Sequence, residues 1–135
     1  MVSIGYEEID HTADLALRVW GDDFKWILIH AAQGMYALMG VTHDLASPAT
    51  ISFMIEDVEK ETMLVDFLGE LLYLCEDKQK AFDEFAFEDQ HGRIEVKASG
   101  YGISAVNRDI KAVTFHNLKI TQTDSGLETT ITFDV

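Results

Sequence analysis

The sequence predicts an α+β fold in which two α-helices cover a mainly antiparallel or mixed β-sheet. Three observations carry that prediction. Segments 23–39 and 59–79 place apolar residues at helical spacing. Short stretches near both ends alternate apolar and polar residues, as half-buried strands do. The resulting order of strands, helix, strand, helix and strands implies the α+β class.

Tyr6 to Ile9 reads as a short opening strand. Leu15 to Trp20 alternates, with Leu15, Leu17 and Val19 on one face and Arg18 on the other. Gly21-Asp22-Asp23 ends that strand, and an Asp there can cap a helix. The first helix is expected from Asp23 to Met39, on a stripe of Ile27, Leu28, Ala31, Met35 and Leu38, with Gly40 as its stop. A loop containing Pro48 should follow, then a strand over Thr50 to Glu56. Glu59 to Gln79 is the clearest helix: Leu64, Phe67, Leu68, Leu71, Leu72 and Cys75 share one face. Cys75 in that stripe reads as a core residue rather than a nucleophile. Phe82 to Phe87 and Arg93 to Ser99 form a strand pair around the turn Asp89-Gln90-His91-Gly92. Gly100-Tyr101-Gly102 is too short for a phosphate loop and marks a strand end or bulge. Lys111 to Thr121 and Leu127 to Val135 form the last pair, joined through Asp124-Ser125-Gly126. Neither alternation phase is clean near His116, where Val113 and Phe115 oppose Leu118 and Ile120, and a bulge there would explain it.

At 135 residues the chain fits one domain, residues 1–135. It is 47% hydrophobic and 10% aromatic, enough for a packed core, so disorder is not expected. The lone Cys75 excludes an internal disulfide and suits a reducing compartment. Residues 1–5 lack both a basic stretch and an apolar run, and Val65 to Cys75 is too short and too interrupted to span a bilayer. A cytoplasmic protein without membrane contact is the expectation. The formal net charge of −14, from 24 acidic and 10 basic residues, argues against direct tight nucleic-acid binding. The same acidity steers basic protein partners, although maintaining solubility is the plainer reading of charge alone.

Two acidic motifs stand near opposite ends: Asp10-His11-Thr12-Ala13-Asp14, and Phe133-Asp134-Val135, whose last residue adds a carboxylate. If the fold joins the first and last strands, several anionic oxygens meet. Such a cluster needs a cation or protons to neutralise it, and all-oxygen ligation suits Ca²⁺ or Mg²⁺. Alternation puts Asp134 on the polar face of its strand, with Thr130 and Thr132. For Asp14, coordination competes with capping of turn N–H groups, and spacing alone favours capping. His11 is a metal ligand, a general base or a hydrogen-bonded structural group, and the last is commonest. His116 either reaches the same site as Asp14 or is a satisfied buried histidine, the second being the commoner case. A zinc site is disfavoured, because no Cys/His spacing supports one. Nucleophile-elbow, phosphate-loop and dinucleotide motifs are all missing. Trp20, Trp26 and Tyr36 suit an exposed aromatic surface, or more commonly a core.

Taken together, these motifs resemble the archease family. The resemblance rests on Tyr6 followed by Asp10-His11-Thr12-Ala13-Asp14, on Ala31-Ala32, on the segment Lys111 to Ile120 with its Thr114-Phe115-His116, and on Phe133-Asp134-Val135. It covers nearly the whole chain. It implies a sheet covered by two helices with the first and last strands close together. It further implies a non-enzymatic accessory protein of an RtcB-type RNA ligase, promoting guanylation and multiple turnover in tRNA splicing and RNA repair. The implied divalent-cation ligands are Asp14, Asp134 and an oxygen of Val135. Asp10, His11 and His116 are supporting candidates, and Lys111 is a candidate partner contact. Ca²⁺ is the first expectation for the ion, because flexible oxygen ligation accepts it more readily than Mg²⁺; Mg²⁺ and Mn²⁺ are alternatives. This chain departs from the family pattern at Ala16, Phe115 and Leu127, none of them a proposed ligand. Two other readings stand beside this one. The first is a metal-dependent phosphohydrolase or nuclease with His11 as base. The second is a binding module whose carboxylates serve only as caps.

Overall fold

The computed structural model describes residues 4–9 and 15–135. Within them the chain runs β1 (Tyr6–Ile9), β2 (Leu15–Gly21), α1 (Phe24–Met39), β3 (Thr42–Glu56), α2 (Lys60–Lys78), β4 (Lys80–Asp89), β5 (Arg93–Ala105), β6 (Ala112–Thr114), β7 (Thr121–Thr123) and β8 (Gly126–Asp134). The α+β class holds, and every strand pair is antiparallel. The strands divide between two sheets. One has the order β1-β2-β8-β6, with β7 also on β8, and the other has the order β3-β5-β4.

The helices form where the apolar stripes predict them. Asp23 caps α1 by accepting a hydrogen bond from the Trp26 N–H at 3.2 Å. Gly40 ends α1 in the left-handed region, φ 63°, where a side chain would be strained. On the inner face of α1, Gly34 lets the helix approach β2: a Cβ there would lie 2.5 Å from Leu17 Cδ2. Leu17, Val19, Ile27, Ala31, Met35, Ile131 and Phe133 are buried in the core they share. On α2, Phe67 is fully buried against Phe53, Phe85 and Phe87, with ring centroids 5.4–6.3 Å apart. Cys75 joins this core. Burial pushes its thiol up to about 11, with Glu76 and Asp109 adding to the rise, so it is no nucleophile at neutral pH.

Three local expectations change. Pro48 lies within β3 rather than in a loop. β3 is an edge strand, and its register shifts between Asp44 and Pro48, so the proline sits at the kind of edge irregularity where sheets tolerate one. β5 runs past Ser99 to Ala105. The irregularity expected at Gly100 falls on its partner, as a register shift between Phe82 and Glu84 of β4. The single strand expected from Lys111 to Thr121 is split. Thr114 pairs with Thr132 and Thr121 with Glu128, leaving 115–120 against 129–131. That excursion is larger than a bulge. Asn117 takes φ 53°, and the Leu118 N–H bonds back to the Phe115 carbonyl at 3.0 Å.

Candidate functional site

The predicted site depends on one end of the larger sheet. β2 pairs with β8 along its own whole length, from Gly21↔Leu127 to Leu15↔Phe133, which leaves Asp134 one residue beyond the last pair. Leu15 follows Asp14 in sequence, and Phe133 precedes Asp134. β1 ends beside the same place, with Ile9 opposite Ala16, and β6 puts Ala112 opposite Asp134. β2 thus lies between β1 and β8. Asp10, His11, Thr12 and Asp14 lie outside the described residues.

Asp134 is anchored and open at once. Phe133 is fully buried beneath it and Thr132 nearly so, while Asp134 and Val135 are exposed. The Asp134 carbonyl accepts the Lys111 N–H at 2.8 Å. The backbone of the strand end is therefore held from both sides, leaving the carboxylate free of backbone duties. Oxygens of Asp134 and Val135 are hard donors of the class Ca²⁺ and Mg²⁺ take. Among the described residues no group of three or more His, Cys, Asp or Glu side chains gathers to hold a metal. The donor chemistry at Asp134 and Val135 fits, and the third predicted ligand is Asp14.

His116 is exposed on the excursion after β6, and is not the buried histidine that the sequence favours. Its N–H bonds Thr114 Oγ1 at 3.2 Å, and its Nε2 lies 3.2 Å from Asn117 Nδ2, which donates to it. Lys111 is exposed beside Asp134. The excursion is tied down from two elements. Glu61, in the first turn of α2, accepts the Ile120 N–H at 2.9 Å, and that bond holds its carboxyl below the usual value. Thr129 of β8 donates its hydroxyl to the Lys119 carbonyl at 2.9 Å. Neither Glu61 nor Thr129 stands out in the sequence, because each partner lies on a distant element.

The opposite end of the β2–β8 pair holds a feature that sequence reasoning missed. An open cavity of about 620 Å³ lies there, with Trp20, Trp26, His30 and Leu127 among its walls. Trp20 is half-buried and Trp26 is 40% exposed, so neither joins the core that is the commoner place for such aromatics. Tyr36 is the one of the three aromatics that is buried.

The comparisons with known proteins agree across nearly the full chain. The model of the Archease protein family (MTH1598/TM1083) matches residues 6–135. The protein archease of Methanosarcina barkeri is 29% identical over 139 residues, covering 96% of this chain and 95% of that one. That of Archaeoglobus fulgidus is 29% identical over 136 residues, covering 96% and 98%. The solution structure of Methanobacterium thermoautotrophicum Protein 1598 superimposes with a TM-score of 0.73 at 23% identity, covering 98% of this chain and all of that one. The crystal structure of a Thermotoga maritima protein, described as an archease and possible chaperone, gives 0.71 at 24% identity, covering 96% of each chain. Both structures share the fold.

Proposed function

The chain belongs to the archease family, and from that membership we propose that it is an accessory protein of an RtcB-type RNA ligase. In this reading it promotes ligase guanylation and multiple turnover in tRNA splicing and RNA repair, and it is not itself the ligase. The description of the Thermotoga maritima relative as a possible chaperone supports an accessory role. The observation that carries the reading is the β2–β8 register. It sets the residue after Asp14 beside the residue before Asp134. Asp14, Asp134 and an oxygen of Val135 are the proposed ligands of a divalent cation, Ca²⁺ first and Mg²⁺ or Mn²⁺ as alternatives. A cation bound there supplies neutralising charge and Lewis acidity to a group presented by the ligase. Asp134 offers its carboxylate from a backbone fixed by Lys111 and by Ala112 of β6, so little ordering is needed on docking. Lys111, exposed beside it, is the proposed partner contact, and Asp10, His11 and His116 are proposed supports. The acidic surface steers the approach to a basic ligase face. The compartment that goes with this reading is the cytoplasm, and no helix among the described residues is long and apolar enough to cross a membrane.

The test is a turnover assay with the ligase of the source organism held limiting. Addition of the protein should raise both the guanylated fraction and the product formed per ligase. Asp134→Asn should lower that stimulation by about tenfold or more, the scale of losing a group that supports a metal site. Because Asp134 is exposed, its thermal midpoint should stay close to that of the parent. Unchanged turnover in the presence of the protein would reject the ligase reading. Turnover of simple phosphoesters by the protein alone, lost in Asp134→Asn, would replace it with a metal-dependent hydrolase.

A further inference from the structure

We propose that the cavity at the Gly21–Leu127 end of the β2–β8 pair receives an arginine side chain from a basic protein partner. This site is separate from the proposed cation site. Six residue steps of β2 separate Leu15 from Gly21, roughly 20 Å at about 3.3 Å per step. The proposal stands whether or not the partner is the ligase.

At about 620 Å³ the cavity falls within the range of ligand sites. Its walls carry both tryptophans of the chain, Trp20 and Trp26, whose ring faces attract cations. The protein already displays that contact. The Arg18 guanidinium carbon sits 4.7 Å from the Trp20 ring centroid, and Lys25 Nζ sits 5.4 Å from that of Trp26. Arg18 lines the cavity and covers Trp20, so the stacking face left to an incoming guanidinium is that of Trp26, whose own neighbour Lys25 lies outside the lining. Arg18 pairs with Glu128 across the cavity wall and lies 3.5 Å from Glu7. Asp22 is different: exposed at the rim, it has no hydrogen-bond or ion-pair partner among the described residues. The open charge of the cavity is therefore negative.

His30 adds an acceptor. Its Nδ1 lies 2.6 Å from the Trp20 carbonyl, which can only accept, so Nδ1 carries the proton. In the neutral tautomer that matches this bond, the lone pair is on Nε2. Ser125 supplies a hydroxyl oxygen at the same opening, whereas the Thr123 hydroxyl there already donates to the Gly126 carbonyl and accepts the Ser125 N–H. The Trp26 indole face, one free carboxylate and the remaining acceptors match a guanidinium, which is planar, cationic and rich in N–H donors. A phosphorylated ligand matches poorly, because Arg18 is already paired with carboxylates and the chain carries a net charge of −14. An ammonium meets the charge but cannot stack as a plane.

The two tryptophans make the test direct, since each contributes one indole N–H resonance. The ¹⁵N-labelled full chain is titrated with acetyl-Gly-Arg-Gly-amide, with the same peptide carrying neutral citrulline, and with adenosine. The arginine peptide should shift both indole signals, and citrulline should not. Asp22→Asn should weaken the arginine peptide about two- to fivefold, as loss of one exposed ion pair does. Glu84→Gln, which removes one exposed carboxylate from β4 on the other sheet, should leave its affinity unchanged. Equal effects of the two variants would reduce the interaction to the net charge and overturn the proposal. So would equal shifts with citrulline, a response to adenosine in place of arginine, or no indole shift up to concentrations on the order of 10 mM, beyond the millimolar range.

Discussion

Glu61 shows how one side chain on a remote helix governs the loop beside the proposed cation end. Its carboxylate takes the Ile120 N–H, and that bond holds its acidity below the ordinary glutamate range. A carboxyl whose folded value is depressed stabilises the fold above its unfolded value and loses that contribution as pH falls through the folded one. The window therefore opens below about pH 4.3, the ordinary glutamate value. Glu61→Gln keeps an acceptor but removes the charge. It should cost roughly 0.5–1 kcal/mol near neutral pH, the part of the bond that charge supplies. Urea midpoints of parent and variant should converge as pH is lowered from about 6 to about 3. A gap that stays constant across that window would show that the charge of Glu61 is irrelevant to the bond.

At the scale of elements, α2 is the wedge that joins the three-stranded sheet to the rest of the core, and Phe67 is its point. The ring touches Phe53 of β3 and Phe85 and Phe87 of β4, with no exposure. Phe67→Ala should cost about 3–5 kcal/mol, because aromatic neighbours on two strands cannot all collapse into the space left. Denaturant titration would read this as a lower midpoint, and a loss under about 1 kcal/mol would mean that the strands close over the gap. Phe67 was legible from its place in the stripe with Leu64, Leu68 and Leu71. So was the exposure of Asp134, which alternation predicts, although Thr132 on the same face is buried, and Gly40 was legible as a glycine stop. Pairing was not legible in that way. Pro48 argues for a loop unless β3 is known to be an edge, and edges are set by β5, far along the chain. The split of 111–121 shows only as a broken alternation at Phe115 and His116. The bonds that shape it come from Glu61 and Thr129. Likewise spacing left Asp14 open to capping. The neighbourhood of β2 and β8 came from resemblance, and their register from the structure.

Taken whole, the molecule sets its two candidate contacts at opposite ends of one strand pair, on a body carrying a net charge of −14. The arrangement separates long-range attraction from local fit. Attraction comes from the summed field of many exposed carboxylates and acts before contact, so it governs the association rate. In the proposed complex, fit comes from Asp134, Val135 and the tryptophan cavity, which would act after contact and govern dissociation. The two respond differently to salt, because the Debye length falls from about 10 Å at 0.1 M to about 3 Å at 1 M. For the protein binding a basic ligase, the association rate should fall by tenfold or more, an order-of-magnitude estimate, between about 0.05 M and about 0.5 M salt. The dissociation rate should change far less. Stopped-flow measurement at several protein concentrations separates the two constants. An association rate that is flat across that range would remove the acidic surface from recognition and leave it the task of solubility alone. A dissociation rate carrying most of the salt effect would instead put exposed ion pairs, rather than the fixed strand end, at the heart of the complex.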